Sequence, residues 1–223
     1  MYALLGGSFD PVHHGHLRAA LDAAEDLGCR VHLTPTGTPV HRAAPLATAA
    51  QRLAMLEVAV VDVELLAVDA RETRPGGPRY SVDTLTALRA ELGAAEPIVL
   101  LLGLDAFAGL ASWRRWRDLF SLAHLGVLTR PGYAPEFEPE VAGEWFARRV
   151  TAPGALADRP AGMVLPIEVT SLTLASTDLR ARCARGQALH FLTPPAVVRY
   201  IAEHGLYASP DQVAGKTKRQ GVV

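Results

Sequence analysis

The stretch Gly6-Gly7-Ser8-Phe9-Asp10-Pro11-Val12-His13-His14-Gly15-His16 decides how this chain is read. It follows the apolar run Tyr2-Ala3-Leu4-Leu5 and precedes residues with apolar side chains at helical spacing, so the order is strand, glycine loop, helix. A buried strand that ends in glycines lets the backbone come close to a ligand, and the free N–H groups of the following helix favour an anion. His13 and His16 stand at the loop-to-helix junction, where a spacing of three keeps both imidazoles on one side. The pattern is neither GxGxxG nor a phosphate loop ending in Gly-Lys-Ser/Thr, and no lysine occurs before Lys216. Phosphate chemistry here has to use histidine, arginine and backbone N–H groups.

Outward from this stretch, Leu17, Ala20, Leu21, Ala24 and Leu27 share helical spacing and Gly28 stops the helix. Val31-His32-Leu33-Thr34 is the next strand and closes a β-α-β unit. The loop over 35–45, with Gly37, Pro39, His41 and Arg42, leaves that strand at the edge where open α/β sheets bind ligands. Residues 48–60 read as a helix, 63–70 as a strand and 71–79 as a Pro/Gly-rich loop. Ser81 is placed to cap a helix whose Val82, Leu85, Leu88 and Leu92 share one face. The wholly apolar run over 97–103 is a buried strand. Residues 104–122 predict two short helices, 125–129 a strand, 141–149 a helix within an irregular segment, and 163–169 a late strand. Helices over 176–185 and 195–204 follow. This alternation predicts an α/β fold, a doubly wound parallel sheet with C-terminal helices.

With 223 residues and 49% hydrophobic content the chain can bury one core, so residues 1–207 are expected to form a single domain. Residues 208–223 are polar, hold both lysines, and are expected to be a disordered tail. A net charge of −1 gives no field toward nucleic acid or an anionic membrane. The apolar runs are too short to span a bilayer and the N-terminus enters a strand directly, so a cytoplasmic location is the default expectation. Cys29 and Cys183 lie far apart and indicate neither a disulfide framework nor a zinc cluster. No third ligand at a recognisable spacing joins His13 and His16, so no protein-held metal is expected. The oligomeric state stays open, a homodimer included.

Several residues carry two readings. Asp10 can cap the turn before Pro11, Ser81 and Ser176 can cap helices, Asp105 can be an N-cap, and Trp113 and Trp116 can be core anchors. Arg42 is either a bidentate phosphate clamp or a solvated loop charge. Arg180 so close to a helix start is harder to explain without an anion, because the dipole there disfavours a cation.

Taken together, Gly6-Gly7-Ser8-Phe9-Asp10-Pro11 with His13-His14-Gly15-His16 resembles the HxGH nucleotidyltransferase superfamily and, within it, the bacterial nicotinate mononucleotide adenylyltransferases. Further blocks are similar to that family in order: Pro39-Val40-His41-Arg42, Tyr80-Ser81-Val82-Asp83-Thr84-Leu85, Leu102-Gly103-Leu104-Asp105-Ala106-Phe107, Trp113-Arg114-Arg115-Trp116 and Ala175-Ser176-Thr177-Asp178-Leu179-Arg180. The chain departs from the pattern at Arg42, where lysine is usual, at the inserted Val40, and at Ala175, which replaces a serine.

The resemblance implies a Rossmann-like nucleotidyltransferase fold and transfer of the adenylyl group of ATP to nicotinate mononucleotide, with Mg²⁺ arriving on ATP. It implies that His16, His13 and Arg180 serve catalysis, and that Gly7, Ser8, Phe9, Gly103, Asp105, Ser176, Thr177 and Arg42 join them in binding ATP. Tyr80, Ser81, Thr84 and Trp113 would hold the pyridine nucleotide, and a helix N-terminus at Ser81 suits a nicotinate carboxylate better than a neutral amide. The alternatives are nicotinamide mononucleotide or phosphopantetheine as acceptor, or a noncatalytic nucleotide-binding sensor.

Overall fold

Along strand β1 (Tyr2–Gly7), Ala3 and Leu5 enter one hydrophobic core and Leu4 enters another. The same alternation recurs on β4 (Ile98–Gly103), where Val99 and Leu101 join the first core and Ile98, Leu100 and Leu102 the second. A central strand buried on both faces has to be apolar throughout, which explains the uninterrupted runs. A computed structural model describes residues 1–37, 45–130 and 136–209 and shows the resulting three layers. The remaining strands are β2 (Val31–Pro35), β3 (Leu66–Val68), β5 (His124–Thr129) and β6 (Val164–Glu168). All pairs are parallel, in the order β3-β2-β1-β4-β5-β6.

Helices α1 (His14–Leu27), α2 (Ala49–Val60), α7 (Ser176–Ala184) and α8 (Pro195–Glu203) bury residues in the first core. Helices α3 (Ser81–Leu92), α4 (Leu104–Ala108), α5 (Leu119–Leu122) and α6 (Pro139–Arg148) bury theirs in the second. Local chemistry sets the helix ends. The His13 side chain caps α1, and Gly28 ends it in the left-handed region at φ 63°, its N–H donating to Ala24. Thr48 and Gln51 form a reciprocal capping box on α2.

Some expectations change. The strand expected over 63–70 is only Leu66–Val68, because Val63 N–H and Leu66 N–H close turns onto Val60 and Val63. Ser81 does not cap α3: Tyr80 occupies that position without a side-chain hydrogen bond. Asp105 is likewise inside α4, whose N-cap is Gly103. The segment over 104–122 holds its two short α-helices plus single 3₁₀ turns at Leu110–Ser112 and Trp116–Asp118. Residues 210–223, which include most of the expected tail, and the loop containing Arg42 lie outside the described residues.

Behind α3, buried Thr84 donates its hydroxyl to Glu72 Oε1 at 2.7 Å, tying the loop after β3 to the helix start. Burial pushes the Glu72 carboxyl up to about 7, helped by Asp69 and opposed by the Thr84 hydroxyl and Arg71. Because the folded chain holds this proton more tightly than the unfolded one, stability falls as pH rises from about 4.5 to about 7. Glu72→Gln is therefore expected to melt higher than wild type at pH 8 and level with it at pH 4; a difference independent of pH contradicts this.

Gly126 on β5 lies between Leu101 and Leu165 of the flanking strands. A Cβ there would stand 2.6 Å from Leu101 Cδ2 and 3.2 Å from both Ile167 Cδ1 and Val99 Cγ1. Gly126→Ala is expected to lower stability by about 1–3 kcal/mol in urea unfolding, and an unchanged midpoint would show that the neighbours yield freely.

Candidate active site

Since every strand pairs in parallel, all strand C-termini share one edge. The chain passes from β1 to β2 and β3 on one side, then to β4, β5 and β6 on the other, so the loops after β1 and β4 part at a topological switch point. The loops after β1, β2, β3, β4 and β6 supply the candidate residues described here.

At the start of α1, His13 Nδ1 accepts the His16 N–H at 3.4 Å. The two imidazoles stack with centroids 3.7 Å apart, and buried Phe9 meets His16 edge-on at 5.1 Å. Burial pushes His13 down to about 4, reinforced by His14, and His16 down to about 3, reinforced by His13. Both rings are neutral at pH 7. His16 Nδ1 is buried and has no hydrogen-bond partner among the described residues. A ligand atom at this position would satisfy it.

Gly6 is exposed with nothing within 4 Å of a Cβ, while Gly7 and Gly15 have a cause that was not expected. A Cβ on Gly7 would stand 2.9 Å from Phe9 Cζ, and one on Gly15 3.0 Å from His13 Nδ1. These two positions make room for the loop's own rings. Gly103, at the end of β4, is exposed with nothing within 4 Å of a Cβ, so the backbone there is open to a ligand. Asp105 is exposed beside it.

Helix α7 closes over the same loop. Ser176 Oγ donates to the Pro11 carbonyl at 2.9 Å, so this hydroxyl holds the loop and caps nothing. Arg180 Nη1 donates to the Asp10 carbonyl at 2.7 Å, and Nη2 to Thr177 Oγ1 at 3.3 Å. Asp10 itself is buried, with Oδ2 accepting from Leu46 N–H and Oδ1 from Ala47 N–H and the Tyr207 hydroxyl. Ser8, Phe9, His13, His16, Ser176, Thr177 and Arg180 are thereby gathered around one loop.

The second group surrounds the α3 N-terminus, which carries no side-chain cap. Tyr80 and Ser81 are partly buried there, and the Arg114 guanidinium lies over the Tyr80 ring at 4.7 Å. Trp113 is partly buried against the second core; Trp116 is buried in it and covered by Arg117 at 4.3 Å. Thr84 is buried and committed to Glu72 and the Tyr80 carbonyl, so it supports this helix start from behind.

Arg52, Glu72 and Tyr207 also serve this edge and were not singled out in the sequence. An arginine within a helix reads as solvated, a glutamate in a Pro/Gly-rich loop reads as surface charge, and Tyr207 borders the polar tail. The one available signal was the capping box, which sets Arg52 on the first turn of α2 and directs it at the sheet edge.

No helix among the described residues is long and apolar enough to cross a membrane. The family model for Cytidylyltransferase-like proteins matches residues 4–182. A Methylococcus capsulatus protein described as a probable nicotinate-nucleotide adenylyltransferase is 47% identical over 210 residues, spanning 93% of this chain and 100% of its own. A Pseudomonas fluorescens protein with the same description is 44% identical over 209 residues, spanning 93% and 97%. Among solved structures, Plasmodium falciparum nicotinic acid mononucleotide adenylyltransferase complexed with NaAD matches with a TM-score of 0.69 at 14% identity, over 92% of this chain and 96% of its own, a likeness of fold. With the Rossmann-like sheet, the histidine pair and these relatives in agreement, the chain belongs to the nicotinate mononucleotide adenylyltransferase family of the cytidylyltransferase-like nucleotidyltransferases.

Proposed function

We propose that this chain transfers the adenylyl group of ATP to nicotinate mononucleotide, giving deamido-NAD and pyrophosphate. The observation that carries the reading is the stacked His13–His16 pair with its unpaired Nδ1, set beside Arg180 at the sheet's switch point. The acceptor's 5′-phosphate is already anionic near neutral pH, so no general base is required. One of its oxygens bonds to the α-phosphorus as the bond from that phosphorus to the bridging oxygen breaks, and the electron pair leaves with pyrophosphate.

The residues then have two tasks: align the two phosphates, and meet the charge that develops on the leaving group. His16 and His13 supply neutral N–H donors that are already stripped of water. An arriving phosphate favours their protonated forms, so charge on the imidazoles grows together with charge on the substrate. Arg180 and the first N–H groups of α7 face the outer phosphates, with Arg42 assigned there by motif alone. Gly103 and Asp105 receive the adenosine. Trp113 stacks on the pyridine ring, and the uncapped start of α3 takes its carboxylate.

Among the described residues, no group of three or more His, Cys, Asp or Glu side chains is arranged to hold a metal ion, and Asp10 is spent on backbone N–H groups and Tyr207. In this reading Mg²⁺ arrives on ATP, held largely by phosphate oxygens and water, as its coordination preferences favour.

Product chromatography with ATP and Mg²⁺ tests this, with nicotinate mononucleotide, nicotinamide mononucleotide and phosphopantetheine offered separately. The expected outcome is dinucleotide formation with strong preference for the nicotinate substrate. His16→Ala is expected to lower kcat/KM by about 100-fold or more, as for removal of one oxyanion donor. Equal use of the amide removes the α3 argument; no dinucleotide from either pyridine substrate overturns the assignment, and tight ATP binding without turnover points to a sensor.

A further inference from the structure

Arg52 is only 1% exposed, and it leads the large, fully buried side chains among the described residues. Its Nη1 donates to the Ser8 carbonyl at 2.8 Å, and Nη2 to the carbonyls of Thr36 at 2.6 Å and Gly37 at 3.1 Å. Nε is buried without a partner, and the side chain forms no ion pair among the described residues. Each group it is seen to hydrogen-bond among the described residues is thus a neutral carbonyl. The carboxylate whose field reaches it, Asp10, already accepts three hydrogen bonds and lies 3.8 Å from Arg180. Two guanidinium groups thus share one carboxylate.

Burying a charge among neutral partners is unfavourable unless something offsets it, and an apolar side chain would serve packing better. The position of Arg52 suggests what the charge is for. The three carbonyls stand just beyond the C-terminal ends of β1 and β2, the edge that receives phosphates in the reading above. Left alone, their oxygens present the negative ends of their dipoles to an anion. Held by Arg52, they are neutralised, and a positive charge remains beneath the loop.

We propose that Arg52 is a binding determinant for the substrate phosphates, acting through the Ser8, Thr36 and Gly37 carbonyls and supplying a buried positive charge that the Asp10 carboxylate, shared with Arg180, does not fully offset until an anion is bound. The proposal rests on the adenylyltransferase reading. It makes Arg52 a positioning residue whose charge, and not only its hydrogen bonds, sets the affinity for phosphate.

The test is calorimetric titration of wild type, Arg52→Lys and Arg52→Gln with ATP and with adenosine, each variant checked by circular dichroism melting. Glutamine keeps amide donors for the carbonyls without charge; lysine keeps the charge. Arg52→Gln is expected to weaken ATP at least about tenfold while adenosine stays within about twofold, and Arg52→Lys to hold ATP within about threefold. Parallel losses for ATP and adenosine, equal losses in both variants, or unchanged ATP binding in Arg52→Gln overturn the proposal.

A measurement on the wild type covers the case of a variant that does not fold. A buried charge is poorly screened, so the preference for ATP over adenosine is expected to persist in about 1 M NaCl, and its disappearance there counts against the inference. A wild type that binds neither ligand removes the adenylyltransferase reading itself.

Discussion

One buried carboxylate organises the site. Asp10 Oδ2 accepts the Leu46 N–H at 2.8 Å, and Oδ1 accepts the Ala47 N–H at 3.1 Å and the Tyr207 hydroxyl at 2.6 Å. The loop after β1, the segment entering α2 and the residues after α8 converge on this group, and Arg180 of α7 adds its bond to the Asp10 carbonyl. Burial and the neighbouring carboxylate raise the Tyr207 hydroxyl well above its ordinary range, so it remains a donor. With three donors aimed at it, the Asp10 side chain is committed to holding the loop.

The loop so held presents two imidazoles that burial keeps neutral. A permanently charged pair stacked at 3.7 Å would repel itself and be costly to desolvate. Neutral rings avoid both penalties and still donate. The lasting positive charge is carried by arginines, whose guanidinium groups stay protonated in proteins. This division explains how a chain with no lysine before Lys216 can still supply the proposed anion site.

The layered fold was legible because its causes are local. Apolar runs fixed β1, β2, β4 and β5, and glycine stopped α1. The HxGH stretch was legible for the same reason, since both histidines and the helix they begin lie within a few residues. What stayed hidden depends on partners far along the chain: Arg52 meets Ser8 across 44 residues, and Tyr207 meets Asp10 across 197. Local rules also misassigned some roles. Ser81 and Ser176 look like caps, yet each falls inside its helix, and the Ser176 hydroxyl is drawn to Pro11. Gly7 and Gly15 also answer to a cause no local rule shows, since a Cβ there would meet the rings of Phe9 and His13.

The proposed in-line transfer needs two anionic phosphates registered within a fraction of an ångström, although the helices proposed to hold the phosphates and the pyridine ring pack on opposite faces of the sheet. Contiguous contacts join the two sides. Arg52 links the Ser8 carbonyl to that of Gly37. A Cβ on Gly37 would stand 2.2 Å from the Glu72 carbonyl oxygen, so the two loops press backbone against backbone. The Glu72 side chain takes the Thr84 hydroxyl, and Thr84 sits one turn inside α3, whose start carries Tyr80 and lies under Arg114. The phosphate loop and the proposed carboxylate site are thus spaced by packed, hydrogen-bonded groups. A rigid spacing of this kind lets one substrate's ring position the other end of the molecule for attack, so in the proposed reaction α3 takes part in the alignment as well as in the selectivity.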